Sequence, residues 1–467
     1  MVAKSMLVGG TASHVGKSFV ATAICRMLKR RGVRVAPFKA QNMSLNSYPC
    51  RDGGEIGRAQ VAQAQACGLD PISDMNPVLL KPNGNMCSQV IVNGKVWKNL
   101  SARDYYEHTD FLRERVLEAY ERLANQYEYI VMEGAGSIAE MNLRQRDLVN
   151  LGMAKRVGAP VLLVADIDRG GVFASVVGTY YLLPPEDRAT VRSFAVNRFR
   201  GDPSLFDDGM TILEEKTGSP CLGVLPLLEN AHLDEEDSVA LDRNGAHGTS
   251  GIAILQFPRI SNFTDFRLMP DACWITVPVD RRFDAVILPG TKNTIADLDW
   301  MRKQGLDEWV LRQHGEGANI LGICGGYQML GTSIADPDEV ESDRGTADGL
   351  ALLPVTTVLR SEKTTRAIVA ESPAGARFEA YEIHMGATER PRGFTPFARL
   401  SNGESEGIRV GQCAGTYLHG ALENAVLLSE LLGYAIPEPS SKEKTYDDLA
   451  DWFSSHANMD LFAELYL

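Results

Sequence analysis

No two of the eight cysteines, at positions 25, 50, 67, 87, 221, 273, 324 and 413, fall at metal-knuckle spacing. Their scatter excludes zinc ribbons and a disulfide framework and makes a reducing cytoplasm the expected compartment. Long apolar runs are missing too. The longest, such as Val161–Ala165 and Ala285–Leu288, have the length of a strand and fall far short of the roughly 20 residues that span a bilayer. No long apolar stretch follows Lys4, so no secretory signal and no membrane partner are expected. Basic charge is in deficit: 47 Lys and Arg against 60 Asp and Glu leave a net charge of -13, the wrong sign for a nucleic-acid partner. Repeats and low-complexity tracts are absent. What is there is a 467-residue chain, 44% hydrophobic and 23% charged, with the composition of a globular protein and too long for one core.

Short apolar runs alternate with longer amphipathic segments, the pattern of an α/β protein. In the first half, strands are expected at Ser5–Val8, Val33–Ala36, Tyr129–Met132, Pro160–Ala165, Ser193–Asn197 and Leu222–Leu225, with a helix over Lys17–Arg31 closed by Gly32. This spacing implies a doubly wound parallel sheet covered on both faces. The texture changes at Glu229–Gly251, where the acidic Asp234–Asp237 gives way to a Gly-rich stretch. The expected division is a first domain over 1–240, a linker at 241–251, a second domain over 252–436 and a helical tail over 437–467 packed on the second domain. In the second domain the rhythm resumes with Ile252–Phe257, Phe283–Leu288, a helical Ile295–His314 and Asn319–Ile323, while Phe378–His384 and Gly407–Val410 read as antiparallel.

Two stretches carry chemistry. In Asn319-Ile-Leu-Gly-Ile-Cys324-Gly-Gly an apolar run delivers a cysteine into a glycine turn that opens a helix, the layout of a nucleophile elbow. Cys324 would attack an amide and His419, in Thr416-Tyr-Leu-His419-Gly, would accept and return the proton, with His384 as a rival base. Oxyanion donors are expected at the amide of Gly325 and in the turn Leu288-Pro-Gly290-Thr. The chain also opens on Val8-Gly-Gly-Thr11-Ala-Ser-His-Val-Gly16-Lys17-Ser18, a phosphate-loop-like turn with Thr11 where the first glycine would fall. Lys17 would reach ATP phosphates, and Ser18 with Glu133, at the end of its strand, would hold Mg2+. Lys39 would neutralise a phosphoryl group in flight, and Gln41 and Asn42 would orient substrate. Asp166-Ile-Asp168-Arg169 is either a substrate or subunit contact or a local ion pair. An amide-cleaving site beside a nucleotide site points to ATP-consuming, glutamine-dependent amide synthesis.

These motifs resemble a known family. Gly322-Ile-Cys324-Gly-Gly-Tyr-Gln328, Leu288-Pro-Gly-Thr-Lys-Asn-Thr294 and Tyr417-Leu-His419-Gly420 are similar to the class I glutamine amidotransferase domain of the cobyric and cobyrinic acid amidases, a flavodoxin-like α/β fold. The N-terminal half is similar to the dethiobiotin-synthetase-like ATP domain fused to it. Gln41-Asn-Met-Ser-Leu-Asn46, Glu55-Ile-Gly-Arg-Ala-Gln60, Asn76–Pro82, Glu133-Gly-Ala-Gly-Ser137 and Asp166–Phe173 resemble the cobyric acid synthases within it. The resemblance implies ATP, Mg2+ and glutamine as co-substrates and cofactors, with a corrinoid as the small-molecule partner. It also implies amidation of four peripheral carboxylates (b, d, e, g) of adenosylcobyrinic acid a,c-diamide. A homodimer is a further expectation. The a,c-diamide synthase is the alternative, and a partitioning-type ATPase with an inert glutaminase-like module is a rival from another class. One departure stands out: class I glutaminases place a glutamate two residues past the histidine, and here that residue is Ala421, so Glu382 or a backbone carbonyl is the candidate to orient His419.

Overall fold

The computed structural model describes residues 3–84, 87–228, 248–341, 344–438 and 441–467. The acidic run Asp234–Asp237, and the expected linker as far as residue 247, lie outside them. Six strands form the first sheet: β1 (Lys4–Gly10), β2 (Val35–Phe38), β3 (Tyr129–Glu133), β4 (Val161–Asp166), β5 (Val191–Phe199) and β6 (Cys221–Pro226). Their spatial order is β6-β5-β4-β1-β3-β2 and every neighbouring pair is parallel. Helices cover both faces, so the strands read as unbroken apolar runs; β3 and β4 are buried at every residue. The order reverses at β1, which opens a crevice beyond its carboxyl end. There the chain turns into α1 (Lys17–Arg30).

Between β2 and β3 the structure departs from the expected rhythm. Gln41–Met43, Val78–Gly84, Cys87–Val92 and Lys95–Ser101 build a separate four-stranded sheet, followed along the chain from Gln41–Met43 by the helix α2 (Arg58–Ala66) before the remaining three strands. Lysines, asparagines and Pro82 interrupt the apolar alternation of these strands, which hid them in the sequence.

The second sheet uses β7 (Ile252–Leu255), β8 (Cys273–Ile275), β9 (Ala285–Leu288) and β10 (Asn319–Ile323). A long antiparallel hairpin, β11 (Thr356–Glu371) with β12 (Arg377–Glu389), belongs to a neighbouring sheet. The strand β14 (Cys413–Thr416) and the edge strand β13 (Ile408–Val410) complete the order β8-β7-β9-β10-β14-β13, parallel except for the last pair. The helical stretch expected over Ile295–His314 is two helices, α3 (Thr294–Lys303) and α4 (Leu306–Gly315), because Gly305 between them takes φ 70°. A short α5 (Gly325–Leu330) follows β10. Among the described residues no helix is long and apolar enough to cross a membrane.

The charged tail packs on the first domain rather than the second, which it meets through Lys442, 3.6 Å from Glu423. Its helices α6 (Lys442–His456) and α7 (Met459–Tyr466) lie on the first, against α1 and the outer end of its sheet. Arg26 pairs with Asp447 and Glu443, both at 2.8 Å, and Arg30 with Asp451 at 2.7 Å. Trp452 Nε1 donates to the Pro226 carbonyl at 3.0 Å, and Tyr129 donates its hydroxyl to Tyr466 O at 2.6 Å. Phe453 and Phe462 are fully buried in the core they share with β1 and α1. The acidic face of α6 is matched by the basic end of α1, 421 residues away, a pairing no local pattern reports. Replacing Phe453 with Ala is expected to cost about 3–5 kcal/mol through lost burial and a cavity. Thermal unfolding of the intact protein measures it; an unchanged melting curve would contradict this packing.

Candidate active site

β10 ends at Ile323, and Cys324 takes φ 51° and ψ -108° before α5 begins. Positive φ at a residue with a side chain is strained, and it persists only where neighbours enforce it. The neighbours here are glycines for lack of room. A Cβ on Gly326 would lie 2.0 Å from the Leu288 carbonyl oxygen, and one on Gly322 would lie 2.6 Å from that of Gly326. The Cys324 amide donates to Thr416 O at 2.8 Å, tying the elbow to β14.

Adjacent strands deliver the rest. Pairing of Ile323 with Thr416 brings the loop after β14, with His419, to the side of Cys324. Pairing of Leu288 with Gly322 brings Gly290 and Thr291 to the other side. The fit is close: a Cβ on Gly290 would stand 2.8 Å from His419 Cε1, and one on Gly325 would stand 3.1 Å from the Thr291 amide nitrogen. The loop after β7 supplies Asp265, whose Oδ2 is 2.8 Å from His419 Nδ1 and whose Oδ1 accepts from the Gly420 amide at 2.6 Å. Asp265 therefore fills the role that Ala421 leaves open.

Glu382 does not orient His419, because its carboxylate pairs with Arg366 and lies 3.8 Å from His384 Nε2. His384, the rival base, faces the same cavity as Cys324, but its ring is stacked on Tyr417 and its Nδ1 is 2.8 Å from the Gly386 carbonyl oxygen. His419 and Asp265 are almost completely buried. Burial alone would lower the His419 pKa; the charge and hydrogen bond of Asp265, with a contribution from Cys324, overcome it and push it up to about 10. Nε2 meets no hydrogen-bond partner within bonding distance among the described residues, and Cys324 is the second group, after Asp265, that favours the protonated ring.

On the nucleotide side, Gly16 takes φ 97° where the loop enters α1. Lys17 Nζ donates to Ala12 O and Gly136 O, both at 2.9 Å. Thr11, at the start of the loop, gives its amide to Val164 O at 3.0 Å, which leaves its hydroxyl for other contacts. The pairing of Val8 with Glu133 sets that carboxylate beside the loop. Glu133 Oε1 accepts from Ser18 and Lys39, each at 2.9 Å, and Oε2 accepts from Gln63. Its burial would raise the carboxyl pKa, but the Lys39 ammonium outweighs this and holds it below the usual range. The structure thus brings Ser18, Lys39 and Glu133 together.

A profile of the CobB/CobQ-like glutamine amidotransferase domain matches residues 251–426, and one of the CobQ/CobB/MinD/ParA nucleotide binding domain matches residues 6–239. A cobyric acid synthase of Chlorobium phaeobacteroides (strain BS1) is 46% identical, over 99% of this chain and 99% of its own. One of Parabacteroides distasonis is 44% identical over 97% and 96%. One of Pelotomaculum thermopropionicum is 47% identical over 93% of this chain and 87% of its own. The chain belongs to the cobyric acid synthase family.

The family's amidotransferase and nucleotide-binding halves meet here through polar contacts that local motifs do not show. Ser47 donates its amide to Asn262 Oδ1 at 3.0 Å, and the Phe263 amide donates to Asn46 Oδ1 at 3.3 Å. Buried Glu55 is bonded to Lys81, at 2.6 Å, and to Lys363 of the second domain. Arg58 lies 5.1 Å and 5.4 Å from the centroids of the Tyr48 and Tyr381 rings, which pack on each other, and bonds Glu423 at 2.6 Å. Tyr381 in turn stacks on His419.

Of the expected substrate contacts, Gln41 accepts from the Tyr105 hydroxyl at 2.5 Å on the wall of a large cavity, and Asn42 is buried and bonded to Gln60 at 2.8 Å. Asp166 accepts from Arg198 at 3.1 Å and Asp168 from Arg200 at 2.5 Å, while Arg169 is exposed; none of these lines that cavity. The residues missed in the sequence are Asp265 and Gln63. Asp265 had no local signal, standing in a polar loop after β7, which β9 separates from the elbow strand β10; Gln63 is one of three glutamines in an alanine-rich helix.

His419 must hold a proton to protonate departing ammonia, and its raised pKa means the stabilisation by Asp265 is fully present below pH 6.5 and is lost as pH rises through about 10. Asp265→Asn is expected to lower glutaminase kcat/KM by about 100-fold or more, and to move the alkaline limb of its pH profile downward. An unmoved limb, read by ammonia release across pH, would show that Asp265 does not set the charge of His419.

Proposed function

We propose that this chain uses ATP and glutamine to amidate the b, d, e and g carboxylates of adenosylcobyrinic acid a,c-diamide, giving adenosylcobyric acid. The observation that carries this reading is the joining of two complete half-sites in one body: Cys324–His419–Asp265 at one end and Lys17–Ser18–Glu133–Lys39 at the other. Full-length likeness to cobyric acid synthases favours it over the a,c-diamide synthase. Against a partitioning-type switch, the early phosphate loop reads Thr11-Ala-Ser-His14 and has no second lysine.

Glutamine enters the polar cavity in front of Cys324, lined by Lys292, Thr294, Gln328 and Glu341 with Leu45 and Lys81 from the first domain. Lys292 and Glu341 there offer opposite charges to the α-carboxylate and α-ammonium of an amino acid. The Cys324 sulfur attacks the side-chain amide carbon while the amides of Gly290 and Gly325 take the oxyanion charge. His419 gives its proton to the departing ammonia, leaving a thioester. Water, deprotonated by the same ring, then releases glutamate.

A carboxylate resists ammonia because it is anionic and has no leaving group. Transfer of the ATP γ-phosphoryl group to it makes an acyl phosphate, and ammonia displaces phosphate from that. Lys17 and Lys39 counter the charge that moves in the first step. Ser18 and Glu133, an alcohol and a carboxylate 2.9 Å apart at the mouth of the loop, suit Mg2+, which would supply further charge neutralisation across the phosphates.

The test is to incubate the protein with ATP, Mg2+, glutamine and the corrinoid diamide and follow product mass, each amidation replacing OH by NH2. In Cys324→Ser, glutamine should fail while ammonium salts still support amidation. Retained glutamine-dependent activity in that variant would overturn the assignment.

A further inference from the structure

A cavity of about 630 Å³ lies beside the phosphate loop, between the small sheet and the segment that follows β3. It has the size of a site for an organic ligand rather than for a phosphate ion. Its position is set by two backbone segments. Gly136 lines it and, through its carbonyl, accepts from Lys17 Nζ at 2.9 Å, so the cavity opens toward the phosphate end of the nucleotide site. Gln41 and Met43 line it as well, and two residues further along Leu45 lines the cavity of Cys324. A group held here has the phosphate loop on one side and the amide-cleaving pocket on the other.

The lining is amphipathic. Met43 is 54% exposed and Leu143 is 37% exposed, and Tyr106 adds an aromatic wall. Exposed large apolar side chains gathered at a cavity mouth mark a surface that something apolar covers. Two of the cations there are already engaged, since Arg144 and Lys155 both bond Asp187. Arg146 is different. Its guanidinium lies 4.6 Å from the centroid of the Tyr106 ring and meets no carboxylate among the described residues.

We infer that this cavity is the corrinoid site, with the macrocycle lying on Met43, Tyr106 and Leu143 and Arg146 meeting a peripheral carboxylate; this rests on the function proposed above. An apolar floor is non-directional. The ring can therefore re-seat after each turnover and present a different carboxylate to the same phosphoryl group, which a site built of many directional hydrogen bonds would resist. Arg146 gives each seating one anchor of the right charge in a protein whose net charge is -13.

The test uses the full-length enzyme and three exposed-site variants, Leu143→Asp, Arg146→Glu and Arg146→Lys. In Leu143→Asp and Arg146→Glu, KM for the corrinoid diamide should rise about tenfold or more, equivalent to at least one ordinary contact, while KM for ATP and for glutamine stay within about twofold. Arg146→Lys should recover much of the corrinoid affinity. Unchanged corrinoid KM in all three, or a parallel rise in all three KM values, would overturn the assignment of the cavity. A wild-type protein that neither amidates the diamide nor shifts its absorption spectrum on mixing would instead overturn the function itself.

Discussion

The amide-cleaving site depends on one of the contacts between the halves, the pair of hydrogen bonds that joins Asn46 and Ser47 to Asn262 and Phe263. A loop after a strand is ordinarily free to move, because its backbone groups can turn to water. This one is fixed from outside its own domain, and Asn262 is held at φ 53°. Three residues later the same loop carries Asp265, which fixes the ring of His419. The geometry of the amide-cleaving site is thus partly a property of the nucleotide-binding domain. The first-domain segment that makes the contact begins just after Lys39, whose ammonium bonds Glu133. A shift at the phosphate loop has a short route to the histidine, through chain segments joined by hydrogen bonds, and burial of the Asp265–His419 pair makes that geometry count, since electrostatic interactions are strong where water is excluded.

What the sequence made legible was whatever depends on neighbours in the chain. Cys324 and its glycines, Lys17 and Ser18, and Glu133 at the end of an apolar run all stand where strand-to-helix turns put them, and the six strands of the first sheet fall on the apolar runs. His419 could be read from its own short motif. Asp265 could not, because its partner is 154 residues away and nothing in Ser261-Asn-Phe-Thr-Asp265 distinguishes it from other polar loops. Glu382 looked a better candidate only because it was nearer in sequence, and Arg366 takes it instead.

The placement of the tail failed for a related reason. An amphipathic helix states that it has a buried face but not which core receives it, and the deciding charges, Arg26 and Arg30, belong to α1. The break at Gly305 and the small sheet failed differently. A single glycine is compatible with a continuous helix until its φ is known. Short strands containing proline and lysine carry too little alternation to be recognised. That small sheet supplies one wall of the cavity beside the phosphate loop, so the part of the fold hardest to read in the sequence borders the proposed substrate site.

Because the tail returns to the first domain, the second domain is an insertion: the chain crosses to it after residue 228 and crosses back after residue 438. A body attached by one tether can swivel about many axes, whereas one attached by two rocks chiefly about the line that joins them. The double attachment therefore adds a topological constraint to the contacts that already join the halves, the Arg58–Glu423 bond among them.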